Sequence, residues 1–390
     1  MSLATVTISV VVGVPAPLNP LYQERYGIAP AVFTGAFAIY VVCAAASMLI
    51  CGRLSDRLGR RTVGVAALGF SLASCLAFLF VRDSATFVLA RALAGFGVGL
   101  GMSALGAFVV DLAPPGLRWM AALVTSAAAP VGTAAGAVGS GALVQYAPRP
   151  TTLGFVVAAG LVACCVLGVW VSPETVRPGA VRPSLVPTVA VPRRLMAVFA
   201  GGCLCFVACW SLGGFYQSLG ATVARDALGM RGELVGGAVA AAVIGTSVVG
   251  GLCSSVLSTR RALVIGVGCF LLGVAGIAVT LRTGSVTAFL VASMLAGIGF
   301  GAGFNACLRA LLDAAAPGET AGLLSAVYLI GFLGSALPNS VAGFGVERFG
   351  LSGVVNTYCV GTGLLVLAAG LVVWPRVVPL GGGTRLRSDP

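Results

Sequence analysis

The sequence contains no lysine and no histidine, and only 11 of its 390 residues are carboxylates. Each absence excludes a kind of chemistry. A phosphate-binding loop of the G-x-x-x-x-G-K-[ST] type needs its lysine, so this chain by itself cannot drive a pump with ATP. Without imidazole there is no histidine general base, metal ligand or proton relay. Charged residues make up 9% of the chain, against about 25% in soluble domains, which excludes a water-exposed globular surface.

What remains is apolar. Hydrophobic residues account for 58% of the chain and the mean hydropathy is +1.06. A hydrocarbon layer about 30 Å thick is crossed by roughly 20 apolar residues in a helix. The run "AVFTGAFAIYVVCAAASMLI" from Ala31 to Ile50 has that length. The runs lack the alternation of barrel strands, so the spans are helices. The first run, Leu3 to Leu21, has neither a basic n-region nor a small-residue cleavage site, and reads as a span rather than a signal peptide. The cysteines sit inside apolar runs. In "CLCFVAC", Cys203 to Cys209, they have no imidazole partner and no solvated loop, so they read as packing residues, and neither metal nor cofactor is expected.

Apolar runs between charged or Pro/Gly breaks give twelve spans, near 3–22, 31–51, 62–81, 85–110, 119–146, 153–172, 195–222, 234–257, 262–281, 286–312, 319–346 and 353–374. The net charge of +12 comes from 23 arginines. With the N-terminus in the cytoplasm, fifteen fall in cytoplasmic segments, seven outside, and Arg91 within a span. Basic residues collect in cytoplasmic loops, so this balance is topogenic and not a nucleic-acid footprint. The expectation is a multi-pass protein of the cell (inner) membrane with both termini cytoplasmic. "PETVRPGAVRPSLVPTVAVPRR", residues 173–194, is the longest polar break, and its prolines disfavour a helix. It divides a six-helix bundle at 1–172 from another at 195–374, with a tail at 375–390.

An internal repeat supports the division. "LAGFGVGLG" from Leu93 returns as "LAGIGFGAG" from Leu295, and the same offset of 202 carries Asp111 onto Asp313 and Pro115 onto Pro317. At an offset of 200 the pair Arg60 and Arg61 falls on Arg260 and Arg261. Repeats of an even number of spans share one orientation and can rock about a midplane site.

"GRLSDRLGRR", Gly52 to Arg61, packs five charges into the loop between spans two and three. Orientation needs only the arginines; Asp56 adds nothing to it and needs a partner, either the loop's own arginines or the positive end of another helix. Gly52, Leu54, Asp56, Arg57, Gly59, Arg60 and Arg61 match the pattern Gly-x-Leu-x-Asp-Arg-x-Gly-Arg-Arg, and the chain resembles the major facilitator superfamily, in particular its bacterial twelve-span drug and metabolite exporters. The resemblance implies an all-α membrane fold of two pseudo-symmetric six-helix bundles. It implies that Gly52, Asp56, Arg57, Gly59, Arg60 and Arg61 form a conformational gate, with Asp56 meeting the start of span eleven near 318–321. "RALAGFGVG" is similar to the family's span-four motif, which marks Arg91, Gly95 and Gly99. The antiporter signature of span five is a Gly-Pro step, and here Ala129 precedes Pro130.

An arginine two turns inside a span costs about 2.5 kcal/mol or more unless it faces a partner or water, so Arg91 is either functional or snorkels to the interface. Tyr40, Trp210, Asn305 and Tyr328 are the mid-span residues that could line a cavity, whereas Asn19, Tyr22, Tyr216 and Gln217 lie near span ends. No carboxylate lies near mid-span. Proton coupling would therefore use carboxylates at span ends, with Asp111 and Asp313 as the repeat-related pair and Glu24 as an outer alternative. The sequence points to a monomeric secondary transporter, not an enzyme, embedded in the lipid bilayer. It would move a small apolar or amphipathic molecule, by proton-coupled efflux. The alternatives are uptake or facilitated diffusion of a metabolite, an anion if Arg91 and Arg309 face it, and a non-transporting receptor or scaffold.

Overall fold

The computed structural model describes residues 1–51, 55, 58–176, 191–230, 232–316 and 319–377. Among them there are helices and turns and no strand. Span one is Ser2–Tyr26, spans two to six are Pro30–Cys51, Arg60–Leu79, Ser84–Leu112, Arg118–Tyr146 and Leu153–Trp170, and spans seven to ten are Met196–Thr222, Glu233–Val256, Thr259–Thr283 and Val286–Asp313. The last helix, Thr320–Val377, has 58 residues and would be about 87 Å long if straight at 1.5 Å per residue. That is more than twice a hydrocarbon layer. Gly350, at φ 72°, breaks it into spans eleven and twelve. Twelve crossings result, as the apolar runs indicate.

The crossings form two bundles with separate apolar cores. One core holds Phe78, Phe87, Phe108 and Phe155 of the first six spans, and the other holds Phe206, Phe270 and Phe289 of the last six. Two faces follow from the connections. The Arg60 face carries the chain start, the beginnings of spans three and five and the end of span four. The Glu24 face carries the opposite ends. Span one is interrupted near its middle: Pro15 and Pro17 carry no N–H for the ladder, and a 3₁₀ turn, Ala16–Leu18, joins its two helical parts.

Lipid offers no hydrophobic force between helices, so spans associate through close packing, which small residues permit. Span four carries glycine at 95, 97, 99 and 101. Residues four apart share a face of a helix, and the intervening ones point the other way. Gly95 and Gly99 accordingly lie against the carbonyls of Tyr40 and Ala44 in span two, while Gly97 lies against Ala67 and Ser71 in span three. The repeat reproduces this. Gly297 and Gly301 meet the carbonyls of Val243 and Ser247 in span eight, and Gly299 meets Phe270 in span nine. Equivalent glycines thus set equivalent neighbours, which makes the halves pseudo-symmetric.

Gly301→Ala should push span ten off the Ser247 carbonyl and destabilise the protein by about 1–3 kcal/mol. Gly139→Ala, on a lipid-facing helix position with nothing within 4 Å of the added carbon, should be neutral or gain up to about 1 kcal/mol. Unfolding midpoints in detergent check both.

Candidate functional site

Between the halves lies a cavity of about 1120 Å³, walled by spans one, two, four and five of the first half and seven, eight, ten and eleven of the second. It extends to Asp111, Leu123, Ser255 and Arg309 at the Arg60 face, where it opens. Tyr40, Trp210, Asn305 and Tyr328 all line it. Trp210 meets Phe332 edge-on at 4.8 Å between ring centres, and Phe37 tilts against Tyr40 at 5.7 Å. Asn305 donates from Nδ2 to the Gly301 carbonyl of its own helix, 3.1 Å away. Most wall hydroxyls also bond back to their helices, Ser103 to Leu100 and Ser247 to Ile244 among them, so the wall is apolar and aromatic with few free polar groups.

At the Glu24 face the halves are joined. Asn19 Nδ2 donates to the Ser218 carbonyl at 2.8 Å, linking spans one and seven, and the Leu234 N–H donates to Gln145 Oε1 at 3.1 Å, linking eight and five. Glu24 pairs with Arg225 at 3.6 Å. Arg225 lies on a π turn, Val223–Ala227, that extends span seven and also brings it 2.8 Å from Asp226. Backbones cross closely beneath these links: Gly141 abuts the Glu233 carbonyl, Gly237 the Ala137 carbonyl, and Gly343 the span-two turn at Ala31 and Thr34. An exposed pair such as Glu24–Arg225 is worth no more than about 1 kcal/mol, so the seal resides in the glycine crossings and the buried Asn19.

Arg91 is 2% exposed, which overturns the snorkelling alternative. Its Nη1 donates to the Val12 carbonyl at 3.2 Å, in the turn where the prolines interrupt span one. Its charge lies 5.8 Å from the centre of the Phe87 ring. Arg91 is not part of the cavity wall; it braces the broken helix from behind.

Of the signature loop, Gly52, Asp56 and Arg57 lie outside the described residues. Gly59, at φ 94°, precedes span three, and a side chain there would run into the Glu174 carboxylate. That carboxylate accepts from the backbone N–H groups of Arg60 and Arg61 at 2.8 and 3.1 Å, satisfying orphan donors at the positive end of span three. Glu174, just beyond span six, is a residue the sequence reading missed; its partners are 114 and 113 residues away, and no local pattern announces it. Arg60 donates through Nη1 to Ser55 and through Nε to Asp111, at 2.8 and 3.2 Å. Arg61 reaches the Trp170 carbonyl.

The coupling candidates separate. Asp111 stands in the cavity wall, pairs with Arg60 and accepts from Thr175 at 3.3 Å. Asp313, its repeat partner, is exposed and outside the wall, and makes no ion pair among the described residues. The reason is the decayed motif: Arg260, which corresponds to Arg60, stacks over Trp374 at 4.4 Å instead. At this face Glu319, at the start of span eleven, pairs with Arg194 at the end of the linker.

Residues 1–338 match the family model described as Major Facilitator Superfamily. A stretch of 70 residues, 18% of this chain, is 39% identical to the arabinose-proton symporter of Bacillus subtilis, and spans 15% of that protein's length. A solved bacterial homologue of the human lysosomal transporter Spinster, in an inward-facing and unoccupied conformation, matches with a TM-score of 0.68 at 15% identity, over 97% of this chain and 94% of that one. The fold, the repeat and a family model that covers most of its length agree: this chain belongs to the major facilitator superfamily and is a membrane transporter rather than an enzyme.

Proposed function

We propose that the protein carries a small amphipathic organic molecule across the cell membrane by alternating access, exporting it in exchange for protons. The observation that carries this reading is the asymmetry of the interface between the halves. One central cavity opens at the Arg60 face, and an independent set of contacts closes the Glu24 face. Rocking the halves about that cavity exchanges which face is open. In this reading residues 1–172 and 195–374 are the rocking bodies, 173–194 is the linker and 375–390 the tail. Tyr40, Trp210, Asn305 and Tyr328 contact the substrate at mid-depth. The arginine balance sets the Arg60 face and both termini in the cytoplasm, so the conformation is inward-open. Asp56, with its neighbouring arginines, latches the opposite, outward-open state, and one chain suffices as the working unit.

Proton coupling is assigned to two carboxylates that each hold an ion pair on one side of the cavity. Protonating Glu24 from outside removes an ion pair that joins the halves, while Arg225 keeps Asp226. Protonating Asp111 from inside takes one partner from Arg60, which keeps Ser55. A second reading, proton-linked uptake, is favoured by the 70-residue match to a symporter; substrate moving with protons rather than against them distinguishes it.

Reconstituted wild type should accumulate at least one member of a panel of amphipathic acids and amines under an imposed pH gradient. Glu24→Gln and Asp111→Asn should each lower that accumulation at least tenfold while retaining counterflow, and Asp313→Asn should leave both intact. Accumulation surviving in the Glu24→Gln, Asp111→Asn double variant would remove these residues from coupling. A cysteine at Gly116 should react with an impermeant maleimide only from the cytoplasm, and one at Thr283 only from outside; labelling of both from one side would refute the orientation.

A further inference from the structure

Arg309 lies in the cavity wall on span ten, one turn before the helix ends at Asp313. Its Nη1 donates to the carbonyl of Leu257, just past span eight, at 3.2 Å. Its Nε and Nη2 are buried and have no hydrogen-bond partner. These two nitrogens form the side-on edge of the guanidinium, whose parallel N–H groups fit two oxygens of a carboxylate, sulfonate or phosphate. Neighbouring atoms cover this edge in the present conformation, and the side chain, itself partly exposed in the cavity wall, brings it to a ligand by turning inward, where an acceptor would relieve the cost of two unpaired charged donors.

The charge balance of the wall leaves this cation uncompensated. The other ionised group lining the cavity, Asp111, is paired with Arg60. Asp313, one turn from Arg309, makes no ion pair among the described residues and stands outside the wall. The repeat places Ala107 at the position equivalent to Arg309, and Ala107 also lines the cavity, so the first half supplies no mirror charge. Topology does not explain the arrangement either. A basic residue that only orients the chain gains nothing from turning two donors away from water. Next to Arg309 the wall is apolar and aromatic, with Phe304 and Leu308 leading inward to Phe300, Tyr328 and Trp210.

We propose that Arg309 is the anion-recognising residue of the cavity, and that the transported molecules carry a carboxylate, sulfonate or phosphate group on an apolar body. This rests on the transport reading above and names its substrate class. The guanidinium edge would hold the anionic group near the open mouth, and the aromatic wall would take the apolar part.

The test is titration calorimetry on the full-length protein in a neutral detergent, using naphthalene-2-sulfonate and the uncharged naphthalene-2-sulfonamide as probes. Wild type should bind the sulfonate at least tenfold more tightly than the sulfonamide. Arg309→Gln should weaken the sulfonate at least tenfold and leave the sulfonamide within twofold. Arg309→Lys, which keeps the charge and loses the paired edge, should recover only part of the difference. Equal weakening of both probes would make Arg309 structural and overturn the proposal, as would unchanged sulfonate binding in Arg309→Gln or no sulfonate binding to wild type. Competition by dihexanoyl-phosphatidylglycerol, but not dihexanoyl-phosphatidylcholine, would assign the site to anionic lipid head groups; no competition by either, with sulfonate binding intact, would assign it to free organic acids. Binding is read without transport, so a failure of counterflow would count against the transport reading and not against the anion site.

Discussion

Helices in lipid can approach one another only as closely as their side chains allow, and in this protein glycine sets that distance. Spans four and ten each lay one glycine pair against one neighbour and the intervening glycines against another, so each span is wedged between two others at backbone contact. The crossings that close the Glu24 face use the same device, with Gly141 and Gly237 between spans five and eight and Gly343 between eleven and two. Backbone contact is short-ranged: it is nearly all present or absent, and a small rotation of one half abolishes it. An interface built this way suits a protein that must have two discrete arrangements.

Charge is used sparingly and at the ends. Arg60, Asp111, and Glu174 and Thr175 just past span six, tie the ends of spans three, four and six together at one face. Glu24 and Arg225 form an ion pair between the halves at the other. The first group ties one bundle together, and the second joins the two halves. Two arginines lie deeper and differ in role. Arg91, outside the cavity wall, donates through Nη1 to the break in span one and leaves Nε unpartnered, whereas Arg309, a residue of the wall, leaves both Nε and Nη2 unpartnered.

The repeat explains why the halves are alike, and its decay explains why they are not equivalent. Asp111 and Asp313 are indistinguishable by offset, yet one is held by Arg60 and the other is not held by Arg260, whose guanidinium lies over Trp374. The symmetric scaffold gives the halves equivalent helix neighbours, and departures from symmetry set which charged groups the cavity wall holds.

The crossings, their number and the repeat were legible in the sequence because each depends on local properties: twenty apolar residues, a glycine every second position, a charged break. The four mid-span residues Tyr40, Trp210, Asn305 and Tyr328 were legible for a related reason, as polar or aromatic exceptions within apolar runs, and they do line the cavity. Which way a residue faces was not legible. Spans that are apolar all round have no periodicity that marks an inner side, so burial of Arg91 rather than its escape to the interface became visible only once span one was packed against span four. Links such as Asn19 to Ser218, 199 residues apart, and Gln145 to Leu234, 89 apart, join elements that only the tertiary structure brings together. Composition and pattern determined that the chain crosses a membrane twelve times as two related halves. Which face is closed, which carboxylate is paired and which arginine keeps its donors free were decided by packing, because each depends on what a distant helix places opposite.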